Sequence, residues 1–167
     1  AGRLSVDVFT GTVGSGKSHI ARAYAHRIMH LRGFKSGVHW IDATSDQLFE
    51  QGVRDVAKTV PYLERISEAE FRLVQPRVKQ WLQAGLRRSW LVVVDGVNSV
   101  KMLQRMKAEL LPNGGVEVRE RCHVIMTTRW TKVTVTTALD DSHFRLVVHN
   151  PPPTLIEEHP VEVVTKR

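Results

Sequence analysis

Residues 8–28, VFTGTVGSGKSHIARAYAHRI, contain the pattern that decides the fold. The apolar residues at the start of this stretch are typical of a buried strand, and the apolar residues after Ser18 predict a helix. Between them, residues 11–18 match the pattern G-x-x-x-x-G-K-S. Glycines allow main-chain N–H groups to approach an anion closely, and the dipole of the following helix favours negative charge. The stretch therefore predicts a phosphate-binding loop between a strand and a helix.

Two side chains of this loop have specific predicted roles. The Lys17 ammonium can reach the terminal phosphates of a nucleotide, and the Ser18 hydroxyl can ligate Mg²⁺. The alternative is a glycine turn that binds nothing, but the complete pattern between a strand and a helix favours the phosphate site. The loop residues predicted to bind a nucleotide are Gly11, Thr12, Val13, Gly14, Ser15, Gly16, Lys17, Ser18 and His19.

The rest of the chain alternates between predicted strands and helices. Further strands are predicted at residues 37–42, 90–95, 122–128 and 144–148, and helices at about 44–58, 67–84 and 99–110. Capping boxes, Thr44 with Gln47 and Ser67 with Glu70, mark two helix starts, and Pro76 can start or restart the second of these helices. Such alternation implies right-handed crossovers and a parallel α/β sheet with helices on both faces.

The composition indicates one globular domain. The chain has 167 residues, of which 42% are hydrophobic and 25% charged, as in a soluble protein. We expect this domain to cover residues 1–150, and the proline-rich residues 151–167 to form a tail or a linker toward a further domain. Cys122 is the single cysteine, so a reducing, cytoplasmic location is expected. No apolar run approaches the roughly 20 residues of a membrane span.

The charge balance bears on possible partners. The chain carries 24 Lys and Arg residues against 17 acidic ones, a formal net charge of +7. These charges are dispersed, and no tight run of five or more occurs, so a solvated surface is favoured and nucleic-acid binding is not predicted. The eight histidines show no metal-ligand spacing.

A second predicted part of the site is the strand at residues 90–95, which ends in Asp95. A carboxylate at the end of such a strand can hold the water shell of Mg²⁺, so Ser18 and Asp95 are the predicted metal ligands. Hydrolytic relatives often carry a second acid at the next position, where this chain has Gly96. We therefore expect slow hydrolysis, and we expect an acid introduced at position 96 to leave binding nearly intact. Asp42 either orders water near the metal or caps the next helix.

These motifs together resemble the NB-ARC type of STAND ATPases, which are P-loop NTPases. The matching pieces are GTVGSGKS, VHWIDATS, WLVVVDGVNS, and LLPNGG followed by RCHVIMTTR. They cover about residues 6–129 in the order and approximate spacing of the family. The resemblance implies a three-layer fold whose five-stranded parallel sheet has the order fifth, first, fourth, third, second.

The implied sheet order assigns a role to the residues that follow the fourth strand. Thr127, Thr128 and Arg129 would lie between Lys17 and Asp95, and the Arg129 guanidinium would approach a γ-phosphate. The alternative for Arg129 is an exposed arginine without a ligand. Thr128 and Arg129 therefore complete the predicted nucleotide site, and the predicted catalytic residues are Lys17, Asp95 and Arg129.

The resemblance also implies a function. The family forms the nucleotide switch of apoptotic and innate-immune receptors, so we expect an ATP/ADP-binding domain that uses Mg²⁺ and couples nucleotide state to self-assembly. The helical and winged-helix domains of the family have no counterpart after Arg145, so a piece of a larger receptor is expected. Two alternatives stay open: a small-molecule phosphotransferase, with residues 115–121 as its short candidate lid, and an interaction module with a vestigial loop.

Overall fold

A computed structural model describes residues 3–84, 89–112, 122–131, 134–135, 139 and 144–150. Strands and helices alternate along the chain, as the sequence predicts, and a 3₁₀ turn at Glu64–Ile66 precedes the third helix. The elements are β1 (Leu4–Thr10), α1 (Lys17–Arg32), β2 (Val38–Asp42), α2 (Asp46–Thr59), α3 (Phe71–Gln83), β3 (Leu91–Asp95), α4 (Val100–Glu109), β4 (His123–Thr128) and β5 (Phe144–His149).

The five strands form one parallel sheet in the order β2-β3-β4-β1-β5. Read from the other edge, this is the predicted order, which is thereby confirmed. In the register of the sheet, Thr10 is paired with Thr128, and Asp42 with Asp95. The carboxyl ends of β1, β2, β3 and β4 therefore lie along one edge, where parallel α/β sheets bind their ligands.

The sheet is covered on both faces, which explains its apolar strands. Val92 and Val94 of β3 face a core built with α2, α3 and α4, whereas Leu91 and Val93 face a second core built with α1. Because both faces of such a strand are buried, all of its side chains are apolar, in contrast to the alternating apolar and polar side chains of a half-exposed strand. The predicted three-layer α/β architecture is confirmed.

The starts of two helices differ from the predicted capping boxes. The Ser45 hydroxyl, not that of Thr44, caps α2 by accepting a 3.2 Å hydrogen bond from the Leu48 N–H. Helix α3 begins after Glu70 without a side-chain cap. The Ser67 hydroxyl instead donates to the Glu64 carbonyl within the preceding 3₁₀ turn. Serine and threonine hydroxyls bond readily to several nearby main-chain groups. The spacing of these residues alone therefore does not decide which group each hydroxyl binds.

Arg105 of α4 is a link between helices that the sequence does not reveal. Its guanidinium lies 3.1 Å from Asp46, 2.6 Å from Glu50 and 2.8 Å from Glu109. It also stacks 5.1 Å above the Phe49 ring. Because the Arg105 side chain is only 14% exposed, these contacts are screened less than surface ion pairs and hold α4 against α2.

Asp7 of β1 is a second buried charge with partners far away in the sequence. Its carboxylate hydrogen-bonds to Nε2 of His123 and, at 2.6 Å, to Nε2 of His149. Burial alone would raise the pKa of Asp7, but the two histidines outweigh it, and the pKa lies below its ordinary value. The cluster ties the central strand β1 to both of its neighbours, β4 and β5.

Candidate functional site

The predicted phosphate loop connects β1 to α1 at the carboxyl edge of the sheet. Gly14 and Gly16 have φ angles of 77° and 79°, in the left-handed region that glycine adopts without strain. Gly16 is the N-cap of α1, and the first helical hydrogen bond runs from the Ile20 N–H to its carbonyl, at 2.9 Å. The N–H groups of the first helical turn have no partner within a helix. They are therefore available to an anion placed over the loop.

The Lys17 side chain folds back over this loop. Its Nζ donates a 2.6 Å hydrogen bond to the Thr12 carbonyl and lies 3.5 Å from the Ser15 hydroxyl. Partial burial lowers the pKa of Lys17, and the nearby charge of Asp95 opposes this shift. A neutral carbonyl is a weaker acceptor for an ammonium than a phosphate oxygen. The observed bond is thus one that a bound phosphate can replace.

Ser18 and Asp95, the predicted metal ligands, are brought together although they are 77 residues apart in the sequence. The Ser18 hydroxyl donates a 2.8 Å hydrogen bond to Oδ1 of Asp95. Mg²⁺ prefers oxygen ligands and keeps several waters, so it is usually bound by one or two protein groups together with substrate phosphates. One hydroxyl and one carboxylate beside a phosphate loop fit that requirement.

Thr127, which the resemblance placed between Lys17 and Asp95 without making it a ligand, also contacts Asp95. Its hydroxyl donates to Oδ1 of Asp95 at 2.5 Å and accepts a 2.8 Å hydrogen bond from the Gly96 N–H. Because Thr127 is buried, these bonds orient the carboxylate from the side of β4. The only signal in the sequence was its place beside Thr128 and Arg129 at the end of that strand.

Thr128 and Arg129 lie at the edge between β1 and β3, as the resemblance implied. The Thr128 side chain is fully buried, and its hydroxyl accepts a 3.2 Å hydrogen bond from the Trp130 N–H. The Arg129 side chain is exposed, and its main-chain N–H donates to Oδ1 of Asn98 at 2.9 Å. Thr128 therefore orders the turn, and Asn98, which the sequence did not single out, anchors the main chain that presents Arg129.

Val13 and His19 lie on the solvent side of the loop. Val13 is 81% exposed at the tip, and His19 is exposed in the first turn of α1. The main chain at these positions can contribute N–H groups to a phosphate site.

Asp42 has a local role in the structure. Its Oδ1 accepts hydrogen bonds from the N–H of Thr44 at 2.9 Å and from the Thr44 hydroxyl at 2.5 Å. Asp42 therefore orders the turn that leads into α2, whereas the cap of that helix is Ser45.

Gly96 is required by the backbone. Its φ angle is 84°, and a Cβ atom added there would lie 2.6 Å from Cγ2 of Thr44. A side chain at this position is strained by its backbone conformation and also overlaps its neighbour. An acid at position 96 is therefore expected to cost stability, and its predicted small effect on nucleotide binding stays a prediction.

Two further features of the described residues bear on function. Among them, no three His, Cys, Asp or Glu side chains form a group that could hold a metal ion by protein ligands alone. Within the same residues, every helix is too short or too polar to cross a membrane. The candidate lid of a phosphotransferase, residues 115–121, lies outside the part of the chain that the structure describes.

Solved structures with a similar fold include two of the Drosophila ORC. In the ORC structure bound to poly(dA/dT) DNA and Cdc6, the matching chain is 13% identical with a TM-score of 0.53, and the match covers 89% of this chain and 25% of that chain. In the ORC structure bound to DNA, the identity is 10% and the TM-score 0.52, with 89% and 83% covered. The chain thus spans only a quarter of the first of these proteins, and at these identities the likeness shows the fold alone.

The comparison of this sequence with known protein families is more specific than these structural matches. No curated protein matches the sequence, but residues 3–150 match the NB-ARC domain. This match covers the phosphate loop, strand β3 with Asp95, strand β4 with Thr127, and strand β5. The chain therefore belongs to the NB-ARC domain family of nucleotide-binding P-loop NTPases.

Proposed function

We propose that this domain is an ATP/ADP-binding switch that couples nucleotide state to self-assembly in immune or cell-death signalling in the cytoplasm. The observation that carries the proposal is the hydrogen bond between Ser18 and Asp95 at the mouth of the phosphate loop. A hydroxyl and a carboxylate side by side at the phosphate loop would suit the metal ion of a nucleotide complex, which supports the proposal. The assembly and signalling roles rest on family membership.

Each residue of the site would contribute to nucleotide binding in a different way. The main chain of the loop would surround the α- and β-phosphates, and Lys17 would exchange the Thr12 carbonyl for a phosphate oxygen. Ser18 and Asp95 would hold Mg²⁺, which neutralises phosphate charge when bound. Thr127 keeps the Asp95 carboxylate in place. Only ATP presents a γ-phosphate, so a group that contacts it distinguishes the two nucleotides.

Cleavage should be slow in this domain. General-base assistance typically contributes about 10²–10⁴-fold to a reaction rate. Position 96 carries no carboxylate, and Thr44 engages the Asp42 carboxylate. Nucleotide exchange and assembly, rather than turnover, would then set the state of the switch.

The proposal is tested by thermal unfolding with ligands. With ADP or ATP at about 100 times the Kd, in the presence of Mg²⁺, binding should raise the free energy of unfolding by about 2.7 kcal/mol and Tm by about 5–10 °C. Adenosine, which lacks phosphates, should cause little change. Removal of Mg²⁺ should reduce the shift with ATP. Equal Tm values with and without both nucleotides would disprove nucleotide binding.

Replacement of Arg129 by alanine tests how the two nucleotides are distinguished. We expect the Kd for ATP to rise about fivefold and that for ADP to change little, because only ATP offers the γ-phosphate to the guanidinium. Isothermal titration calorimetry gives both constants, and Arg65→Ala, which removes an exposed arginine far from the loop, is the matched control. Equal losses for ATP and ADP would show that Arg129 has no γ-phosphate contact.

A further inference from the structure

His26 and His30 form a pair of exposed side chains in the second half of α1. Their ring centroids lie 4.5 Å apart, with an angle of 69° between the ring planes. Residues four positions apart lie on the same side of a helix. Two histidines at this spacing are the pair that binds one zinc ion in helical metal sites. The contact between the two rings therefore identifies a candidate metal chelate among histidines that are otherwise scattered along the sequence.

The two imidazole rings are available to a ligand. Within the described part of the chain, neither ring forms a hydrogen bond or an ion pair. By contrast, the rings of His39, His123 and His149 all have hydrogen-bond partners. The pair in α1 thus differs from these three histidines, whose nitrogens already have structural contacts.

The pair lies on the solvent side of α1. The buried residues of this helix are Ala21, Ala25 and Ile28, and at 3.6 residues per turn positions 26 and 30 point away from them. Because one continuous helix carries both rings, their separation is set before a ligand binds. A ligand that uses both rings therefore loses less free energy to ordering than one held by two independent side chains.

The chemistry of the pair selects the kind of ion. Imidazole nitrogens suit Zn²⁺ and related transition metals, whereas Mg²⁺ and Ca²⁺ prefer oxygen ligands, and α1 contains no acidic residue. With Zn–N bonds of about 2.0–2.1 Å, two imidazole rings on one tetrahedral Zn²⁺ have their centroids about 5 Å apart. The observed separation of 4.5 Å is close to this value, so small rotations of the two side chains are sufficient.

We propose that His26 and His30 form a surface site for Zn²⁺, with water in the remaining coordination positions. The site is separate from the predicted Mg²⁺ site, because His26 is eight residues after Ser18, a rise of about 12 Å along the helix. The two sites also differ in their ligands, which are nitrogens in one and oxygens in the other. This inference does not depend on nucleotide binding by the phosphate loop.

The test is calorimetric titration of the full chain with a zinc salt, without nucleotide, at a pH of about 7.5, where an ordinary histidine is neutral and able to bind a metal. His30→Gln should raise the Kd for Zn²⁺ at least about tenfold, because the second ligand of a linked pair binds at a high effective concentration. A large excess of Mg²⁺ should leave the parent Kd unchanged. Zn²⁺ should raise the Tm of the parent protein more than that of the variant.

The matched control is His30→Gln/Leu31→His, which keeps the number of histidines but places the second one five positions after His26. At this spacing the two rings point to different sides of the helix, so the control should bind Zn²⁺ as weakly as His30→Gln. Leu31 is 73% exposed, so the Tm without metal should stay near that of the parent protein. Three results would overturn the proposal: no binding of Zn²⁺, equal affinities of the parent protein and the control, or displacement of Zn²⁺ by Mg²⁺.

Discussion

Lys17→Ala is expected to raise the Kd for both ADP and ATP roughly ten- to 150-fold. Charge-assisted hydrogen bonds contribute about 1.5–3 kcal/mol each, and alanine removes the ammonium that would meet the phosphates. Among the residues that the structure describes, this side chain bonds only to the Thr12 carbonyl and the Ser15 hydroxyl. Its loss should therefore lower affinity with little effect on Tm without nucleotide. Calorimetric titration of the parent protein and the variant measures the difference.

Lys35→Ala is the matched control for this experiment. Lys35 is exposed and lies beyond the far end of α1, so the variant has the same change in net charge without a change in the loop. Its Kd for ADP should equal that of the parent protein. A Lys17→Ala variant that binds ADP as tightly as this control would remove the phosphate-loop interpretation.

Gly96→Asp is expected to lower the free energy of unfolding by about 2–5 kcal/mol. A non-glycine residue in the left-handed region costs about 1–2 kcal/mol, and overpacking adds about 1–3 kcal/mol. The overlap arises because the added Cβ would lie 2.6 Å from Cγ2 of Thr44. Urea unfolding of the parent protein and the variant measures the loss as a lower midpoint at constant m.

Two further variants separate the causes of this loss. At Gly33 the φ angle is 61° and, apart from its own chain neighbours, no described residue has an atom within 4 Å of an added Cβ. Gly33→Asp should therefore show only the smaller cost of backbone conformation. Thr44→Ser removes the overlapping methyl group but keeps the hydroxyl that donates to Asp42, so it should restore part of the stability of Gly96→Asp. An unchanged midpoint for Gly96→Asp alone would contradict the geometry proposed for this position.

Residues whose roles follow from local chemistry were predictable from the sequence. The glycine pattern before Lys17 specifies a phosphate loop because few other residues tolerate the left-handed angles seen at Gly14 and Gly16. The apolar run that ends in Asp95 indicates a strand covered on both faces, because such a strand needs no polar side. The order of the five strands, in contrast, came from the resemblance to a family, since local patterns identify strands but do not say which of them are neighbours.

Residues whose roles depend on partners far along the chain could be identified only in the folded structure. Thr127 orients Asp95 from 32 residues away, and Asn98 bonds to the main chain of Arg129 across 31 residues. A threonine or an asparagine has many possible partners, and only the pairing of β3 with β4 selects these.

The same distinction applies to position 96 and to Arg105. From the sequence alone, position 96 was interpreted as lacking a catalytic acid. In the structure, the packing of Thr44 beside Gly96 makes glycine necessary there. Arg105 is one of many basic residues in the sequence, and only the packing of α4 beside α2 brings its guanidinium to Asp46 and Glu50. The sequence by itself determined the phosphate loop and the alternation of strands and helices, because these depend on neighbouring residues. Tertiary structure decided which side chains support the metal site and which charges form ion pairs, because those depend on contacts between distant segments.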